Sequence, residues 1–210
     1  MSRLILAVDT TSEQGSIALL RDEDLLEEVP IHAPDGFAHV LYGHLAELLG
    51  RHALKIVEID CFAAASGPGS FTGVRIGLAC VKGLAEATGR PAVAVSNLQA
   101  IASFGSAPLR AAVLDARRGE VYGAVYDAES RLVAPETVAT LDAWVKSLPD
   151  GVGEFLAYGF NPAIPGVQVV SSALAGAVAR LAAKAEPQDP AALDANYVRR
   201  SDAELKWKEL

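Results

Sequence analysis

Metal-ligating and redox residues are scarce in this chain, and the few present are badly spaced for either chemistry. The four histidines stand at positions 32, 39, 44 and 52, so no pair has the HxxxH spacing that sets two imidazoles on one helical face. A metal centre is therefore not expected. Cysteine occurs only as Cys61 and Cys80, in apolar stretches without a CxxC or a neighbouring histidine. Such thiols are expected as small buried core residues, not as a disulfide or a ligand pair. No GxSxG, GxGxxG or GK[ST] sequence occurs, which removes the common nucleophile and phosphate-loop signatures.

Long apolar runs are missing too. No stretch of about 18 uninterrupted apolar residues occurs, and the first apolar segment, Leu4 to Val8, lies between Arg3 and Asp9. The chain is thus expected to be neither membrane-spanning nor secreted, which implies a cytoplasmic protein. Positive charge is in deficit: 18 Lys and Arg face 26 Asp and Glu, a net charge of -8. A protein that grips nucleic acid unaided needs several cations against phosphates, so this one is a poor solo binder. Its dense basic candidates are Arg117-Arg118 and Arg199-Arg200, pairs of a kind that is ordinarily a solvated surface.

What the chain has is apolar content, 51% over 210 residues, enough for one compact domain or two small lobes. Leu4 to Val8, Ser16 to Leu20 and Glu27 to Ile31 read as three strands. From Phe37 the period changes: Phe37, Val40, Leu41, Leu45, Leu48 and Leu49 share one helical stripe behind Asp35 as a cap. Cys61 to Ala65 reads as a buried strand, followed by a glycine-rich loop, a small-residue helix ending near Gly89, and a strand over Pro91 to Val95. The second half repeats this order in weaker form. Strands are expected at Ala111 to Asp115, Glu120 to Tyr126 and Arg131 to Ala134, a helix at Leu141 to Leu148, then strands at Phe155 to Tyr158 and Val167 to Val170. An Ala-rich helix from Ser172 to Ala185 follows, and after it a tail marked by Tyr197, Arg199 and Trp207. The expectation is an α/β protein of two lobes on one plan, residues 1–100 and 101–210, with mixed sheets flanked by helices.

Two stretches carry chemistry. Asp9-Thr10-Thr11-Ser12 joins the first two strands; hydroxyls and turn amides can face a phosphate there, and a carboxylate can orient a metal or water. An ordinary polar turn would look the same. Ser66-Gly67-Pro68-Gly69-Ser70-Phe71-Thr72-Gly73-Val74-Arg75-Ile76-Gly77-Leu78 combines glycines, a Ser70 or Thr72 cap and an open helix N-terminus, the makings of an anion site. Packing explains it equally well, because Gly73, Gly77 and Cys80 form a small face that lets another helix or backbone approach.

These two stretches, together with Val95-Ser96-Asn97-Leu98, Leu114 to Tyr122 and Asn196-Tyr197-Val198-Arg199, resemble the TsaB family, formerly YeaZ. The resemblance implies the ASKHA fold of actin, sugar kinases and heat-shock chaperones, with the second lobe reduced. It also implies a non-catalytic role: holding the paralogous catalytic subunit TsaD, which modifies the adenosine beside the anticodon in tRNAs reading A-starting codons. A TsaE-like ATPase completes that assembly, tRNA is met only through it, and lone TsaB-like chains pair with themselves. No cofactor of the chain's own is implied, although ATP or ADP at a subunit junction fits the Asp9 to Ser12 and Ser66 to Arg75 loops. For the partner contact, the expected helical stripes are Leu41, Leu45, Leu48 and Leu49 on the first helix, and Gly73, Gly77, Cys80 and Val81 on the second. Four helices would meet across the subunits. The competing reading is a small ASKHA-type ATPase or phosphotransferase built on Asp9, Thr10, Thr11 and the Ser66 to Gly73 loop.

Overall fold

A computed structural model describes residues 3–170 and 173–199. Among these, residues 3–100 and 173–195 form one compact unit and 101–170 with 196–199 a second. Residues 173–195, assigned from sequence to the second lobe, thus pack with the first.

The first unit is a five-stranded sheet in the order β3-β2-β1-β4-β5. Its strands are β1 (Leu4–Asp9), β2 (Gln14–Arg21), β3 (Asp24–His32), β4 (Cys61–Ala65) and β5 (Ala92–Val95). β1 pairs antiparallel with β2 and parallel with β4, so it lies at the centre, and five of its six residues are buried. A continuous apolar run suits this place because both faces are covered. Strand alternation divides the covering in two. Leu6, Val8, Ile17, Leu19, Phe62 and Ala64 meet the helices α1 (Leu41–Arg51) and α2 (Phe71–Thr88). Ile5, Ala7, Ala18, Leu20, Ala63 and Ala65 point the other way, onto α5 (Ala175–Lys184). That second face is alanine-rich on strand and helix alike, which brings α5 close to the sheet.

α1 begins at Leu41, not at Phe37. Asp35 does not cap it: the N-cap is Val40, without a side-chain hydrogen bond, and residues 38–40 form a turn. Phe37 is nevertheless buried, because the turn carries its ring to Gly15, where an added Cβ would lie 2.5 Å from it. The far end of α1 is tied to β3 through Glu27, which accepts hydrogen bonds from Arg51 at 2.8 and 3.0 Å, with the His52 ring at 2.8 Å. α2 is bounded as its sequence suggests, by a Ser70 cap and by Gly89 in the left-handed conformation.

The second unit carries β6 (Leu109–Arg117), β7 (Glu120–Asp127), β8 (Leu132–Thr140), β9 (Glu154–Tyr158) and β10 (Gln168–Val169), ordered β10-β9-β6-β7-β8. Each pairing sense matches its counterpart in the first sheet: β6 is antiparallel to β7 and parallel to β9, as β1 is to β2 and β4. The reduction is visible between β9 and β10, where no helix corresponds to α2 among the described residues. One face packs under the short helix α4 (Leu141–Lys146), whose Trp144 lies over Gly123. A short helix at Asn97–Ala102, α3, escapes the sequence reading.

Both cysteines are buried and free. Among the described residues no helix is long and apolar enough to cross a membrane, and no three His, Cys, Asp or Glu side chains gather as a metal site would require.

Candidate functional site

The two motif stretches meet at the end of β1. Asp9 Oδ1 accepts hydrogen bonds from the Thr11 amide at 2.9 Å and the Thr11 hydroxyl at 2.6 Å. Asn97, on the first turn of α3, donates from Nδ2 to that hydroxyl at 2.6 Å, while its Oδ1 accepts from the Gly67 amide at 2.9 Å. The Ser66 hydroxyl donates to the Val95 carbonyl at 3.1 Å. Across the hairpin, the Thr10 hydroxyl donates to the Gly73 carbonyl at 2.7 Å, and the Ser70 amide donates to the Thr11 carbonyl at 2.6 Å. The loop itself turns through a cis Gly67–Pro68 peptide with Gly67 at φ +103.

Three glycines exist for this closure. A Cβ at Gly73 would lie 2.0 Å from the Thr10 carbonyl oxygen, one at Gly69 2.6 Å from that of Thr11, and one at Gly77 2.6 Å from the Thr10 hydroxyl. The close-approach reading of the motif is therefore the one realised, and what approaches is the β1–β2 hairpin. An anion reading fits poorly. The Gly67, Ser70 and Gly73 amides already donate within the chain, and Asp9, Thr10 and Thr11 are 0%, 1% and 3% exposed. The residues as placed do not fit a nucleotide phosphate or its metal at Asp9. The outer rim of the loop is open: Gly69, Ser70, Phe71, Thr72 and Arg75 are exposed and Ser12 partly so, with the Arg75 guanidinium 3.7 Å from the Phe71 ring centroid.

Ser16 and Glu28, beside this site, have a structural role that sequence reasoning missed. The Ser16 hydroxyl accepts from the Leu174 and Ala175 amides at 3.1 and 2.9 Å, and Glu28 Oε1 accepts from the Gly176 amide at 2.7 Å. Together they cap α5, a role fixed by residues about 150 positions away and so without a local signal. Asp9 lies opposite Ser16 in the β1–β2 ladder. Its Oδ2 is buried without a hydrogen-bond partner. Burial pushes its carboxyl above the usual range, opposed by the Thr11 and Asn97 bonds, and Glu28 adds to the rise.

A raised folded-state pKa means that the folded chain holds its proton more tightly than the unfolded chain. The carboxyl's contribution is then most favourable below the unfolded value of 3.8 and declines as pH rises through the folded one. Asp9→Asn keeps an Oδ1 for Thr11 and removes the charge. The variant is expected to gain stability relative to the wild type as pH rises from 4 to 8. Urea midpoints of both chains at the two pH values check this, and an equal difference at both would refute it.

The eight positions expected to meet a partner lie inside the first unit. Leu41, Leu45, Leu48, Leu49, Cys80 and Val81 are at most 7% exposed and belong to its core, and Gly73 and Gly77 are buried against Thr10. The stripes cover the chain's own sheet. A different edge of each helix faces outward: Tyr42, Gly43, Ala46 and Gly50 on α1, and Phe71, Arg75, Ala79 and Gly83 on α2. Tyr42 of α1 and Cys80 of α2 lie close enough to affect each other's titration. The thiol's proximity, ahead of partial burial, raises the Tyr42 phenol, and burial pushes the Cys80 thiol up to about 11.

In the second unit the β6–β7 hairpin presents the basic pair. Arg117 opposes Glu120, leaving Arg118-Gly119 as a two-residue loop, and residues 117, 118 and 119 have φ of 62, 57 and 78. Arg199 braces its base. It donates to the Ala116 carbonyl at 2.8 Å and to the Glu120 carboxylate, and lies 5.7 Å from the Tyr122 ring centroid. Asn196 bonds Glu136, which also accepts from the Tyr126 hydroxyl at 2.6 Å. Tyr197 is exposed. Arg200 and Trp207 lie outside the described residues.

Two mixed sheets of one strand plan, each carrying helices, with the second set reduced, define an α/β protein of the ASKHA type. The family model for TsaD, tRNA N6-adenosine threonylcarbamoyltransferase, matches residues 28–189. YeaZ from Pseudomonas aeruginosa superimposes with a TM-score of 0.77 at 29% identity, over 92% of this chain and 100% of that one. The tRNA threonylcarbamoyladenosine biosynthesis protein TsaB of Bacillus subtilis is 29% identical over 225 residues, covering 98% of both chains. An uncharacterized protein of Mycobacterium tuberculosis is 32% identical over 210 residues, 95% of this chain and 93% of the other. The chain belongs to the TsaB (YeaZ) family.

Proposed function

We propose that this chain acts in tRNA threonylcarbamoyladenosine biosynthesis as a non-catalytic subunit. It binds a TsaD-like catalytic subunit, which transfers the threonylcarbamoyl group to the adenosine beside the anticodon in tRNAs reading A-starting codons. A TsaE-like ATPase completes the assembly, and tRNA is met through the assembly. Any ATP or ADP lies at a subunit junction, against the open rim of the Ser66 to Arg75 loop. The contact face is the outward edge of α1 and α2, where Gly43, Ala46, Gly50 and Ala79 let a partner helix come close and Tyr42 and Phe71, 59% and 43% exposed, supply apolar area. Leu41, Leu45, Leu48 and Leu49 support that face from beneath. Without the catalytic subunit, a second copy occupies the same face as an isologous dimer.

The observation that carries the non-catalytic reading is the closure of the glycine-rich loop on the β1–β2 hairpin. Donors that a phosphotransferase would offer to a nucleotide hold the hairpin instead, and Asp9 is sealed beneath them. The test is size exclusion with light scattering of the chain alone and mixed with its TsaD-like partner. A modification assay follows, with tRNA, the TsaE-like ATPase, ATP and threonylcarbamoyl-adenylate. A heterodimer should form, and modified tRNA should accumulate only when both subunits are present. Failure to pair, or turnover by the chain unaided, would overturn the reading.

A further inference from the structure

We propose that the N-terminal end of α5 is a proton-gated latch on the first sheet, held shut while Asp9 is neutral and loosened when Asp9 ionises. The two ends of the helix are fastened differently. At the C-terminal end the chain itself is the anchor: Arg3 Nη1 donates to the Ala183 carbonyl at 3.3 Å, and Gln188 exchanges backbone hydrogen bonds with Ala92 of β5 at 2.8 and 3.1 Å. The N-terminal end depends on two side chains. Ser16 accepts from the Leu174 and Ala175 amides, and Glu28 from the Gly176 amide. Between the ends, α5 meets the sheet through Ala175, Val178, Ala179 and Ala182, whose small side chains bury little apolar area. The polar end therefore decides how firmly the helix sits.

Three oxygen-bearing side chains, Asp9, Ser16 and Glu28, gather at this end, and the helix supplies donors to the last two alone. Strand alternation puts Asp9 on the face of Ile5 and Ala7, which α5 covers, directly opposite Ser16 in the β1–β2 ladder. Glu28 comes so close that a Cβ at Gly176 would lie 3.0 Å from its Oε2. Its charge is matched by the Gly176 amide and the positive end of the helix. Asp9 is fully buried, and its Oδ2 has no hydrogen-bond partner. A second carboxylate in that place, short of donors and near the first, is most stable as the neutral acid. The upward direction of its pKa, caused by burial with Glu28 adding to it, agrees.

The other charges of this unit stand away from Asp9. On β3, Glu27 and His32 bond Arg51 and Gln14. Arg21 and Cys61 lie at the other end of β1, against Leu4 and Ile5, and the charged groups of α1 and α2 belong to helices on the opposite face. α5 carries Arg180 and Lys184 in its second half, both exposed, while the Ser66 to Ser70 loop, β5 and α3 carry no ionisable side chain. Ionising Asp9 thus leaves a buried charge facing Glu28, and lifting the N-terminal end of α5 hydrates it. A hydrated carboxyl returns to the ordinary value of 3.8 while the closed one sits above it, so opening releases a proton. The latch therefore weakens as pH rises through that interval.

The test is amide hydrogen exchange of the full chain, read by NMR as a function of pH with the intrinsic pH dependence of exchange divided out. Protection of the Leu174 to Val178 amides should fall by up to about tenfold per pH unit until the closed-state value is passed, while β1 and β4 keep theirs. Asp9→Asn should remove that slope and leave α5 better protected than in the wild type at high pH. Ser16→Ala, which removes an acceptor but no charge, should lower α5 protection at every pH and keep the slope. Should either variant fail to fold, the wild-type profile decides alone. Protection of α5 that does not change with pH overturns the proposal, and so does an Asp9→Asn chain with the wild-type slope. Protection lost in step across the whole first sheet overturns it as well, because α5 would then open only when the unit unfolds.

Discussion

Replacing Gly73 with alanine is expected to destabilise the chain by about 3 kcal/mol or more. The added Cβ would stand 2.0 Å from the Thr10 carbonyl oxygen, with the Thr10 carbonyl carbon at 3.1 Å and Ser70 Cβ at 3.3 Å. None of these is the end of a flexible side chain. Thr10 is held by β1, the central strand, and its hydroxyl is bonded to Gly73 itself. Either α2 must lift from the sheet or the hairpin must open, and opening it also releases the Asp9, Thr11, Asn97 and Gly67 chain of hydrogen bonds. Gly83, further along the same helix, has nothing within 4 Å of its Cβ position. There alanine should stabilise by up to about 1 kcal/mol through helix propensity and a less flexible unfolded chain. Urea denaturation of the two variants checks both signs. If Gly73→Ala were as stable as the wild type, the hairpin closure described above would be wrong.

The second large effect concerns pairing. Ala46→Arg places a charge on the outward edge of α1, and it is expected to weaken binding to the TsaD-like subunit by at least about 100-fold, since an unpaired charge buried in an interface costs several kcal/mol. Folding should be unaffected, because Ala46 is exposed in the lone chain. One position earlier the outcome is opposite in kind: Leu45 is 3% exposed in the core, so Leu45→Arg should prevent folding altogether. Circular dichroism separates the two before pairing is measured by co-purification. Undiminished pairing by a folded Ala46→Arg chain would move the contact face elsewhere.

That contrast marks where sequence reading succeeds and where it stops. Strands and helices were legible because their signals are local. The run from Leu4 to Val8, the Ser70 cap and the Gly89 stop each depend on neighbours within a few residues. The motif loop was legible as a place, and Gly73 and Gly77 as points of close approach. Which side of a helix meets a partner was not, because an apolar stripe looks the same whether it covers another subunit or the chain's own sheet, and here the sheet takes Leu41, Leu45, Leu48 and Leu49. Asn97 and the Ser16-Glu28 cap were beyond reach for a different reason. Their meaning arises from strand pairing and from α5, at separations that leave no pattern in the intervening residues.

α5 also imposes an order on the chain's folding. One face of the first sheet, from Ile5 to Val95, takes most of its cover from Ala175, Val178, Ala179 and Ala182, with Ala100 adding to it, and Gln188 pairs with Ala92 of β5. The strands of the first sheet must therefore wait for residues 175–188 before that oily side is fully shielded, a delay on the order of ten seconds at ordinary rates of translation. During that interval the nascent strands are candidates for chaperone capture, and the second sheet, whose strands all lie between residues 109 and 169, can be complete before the first.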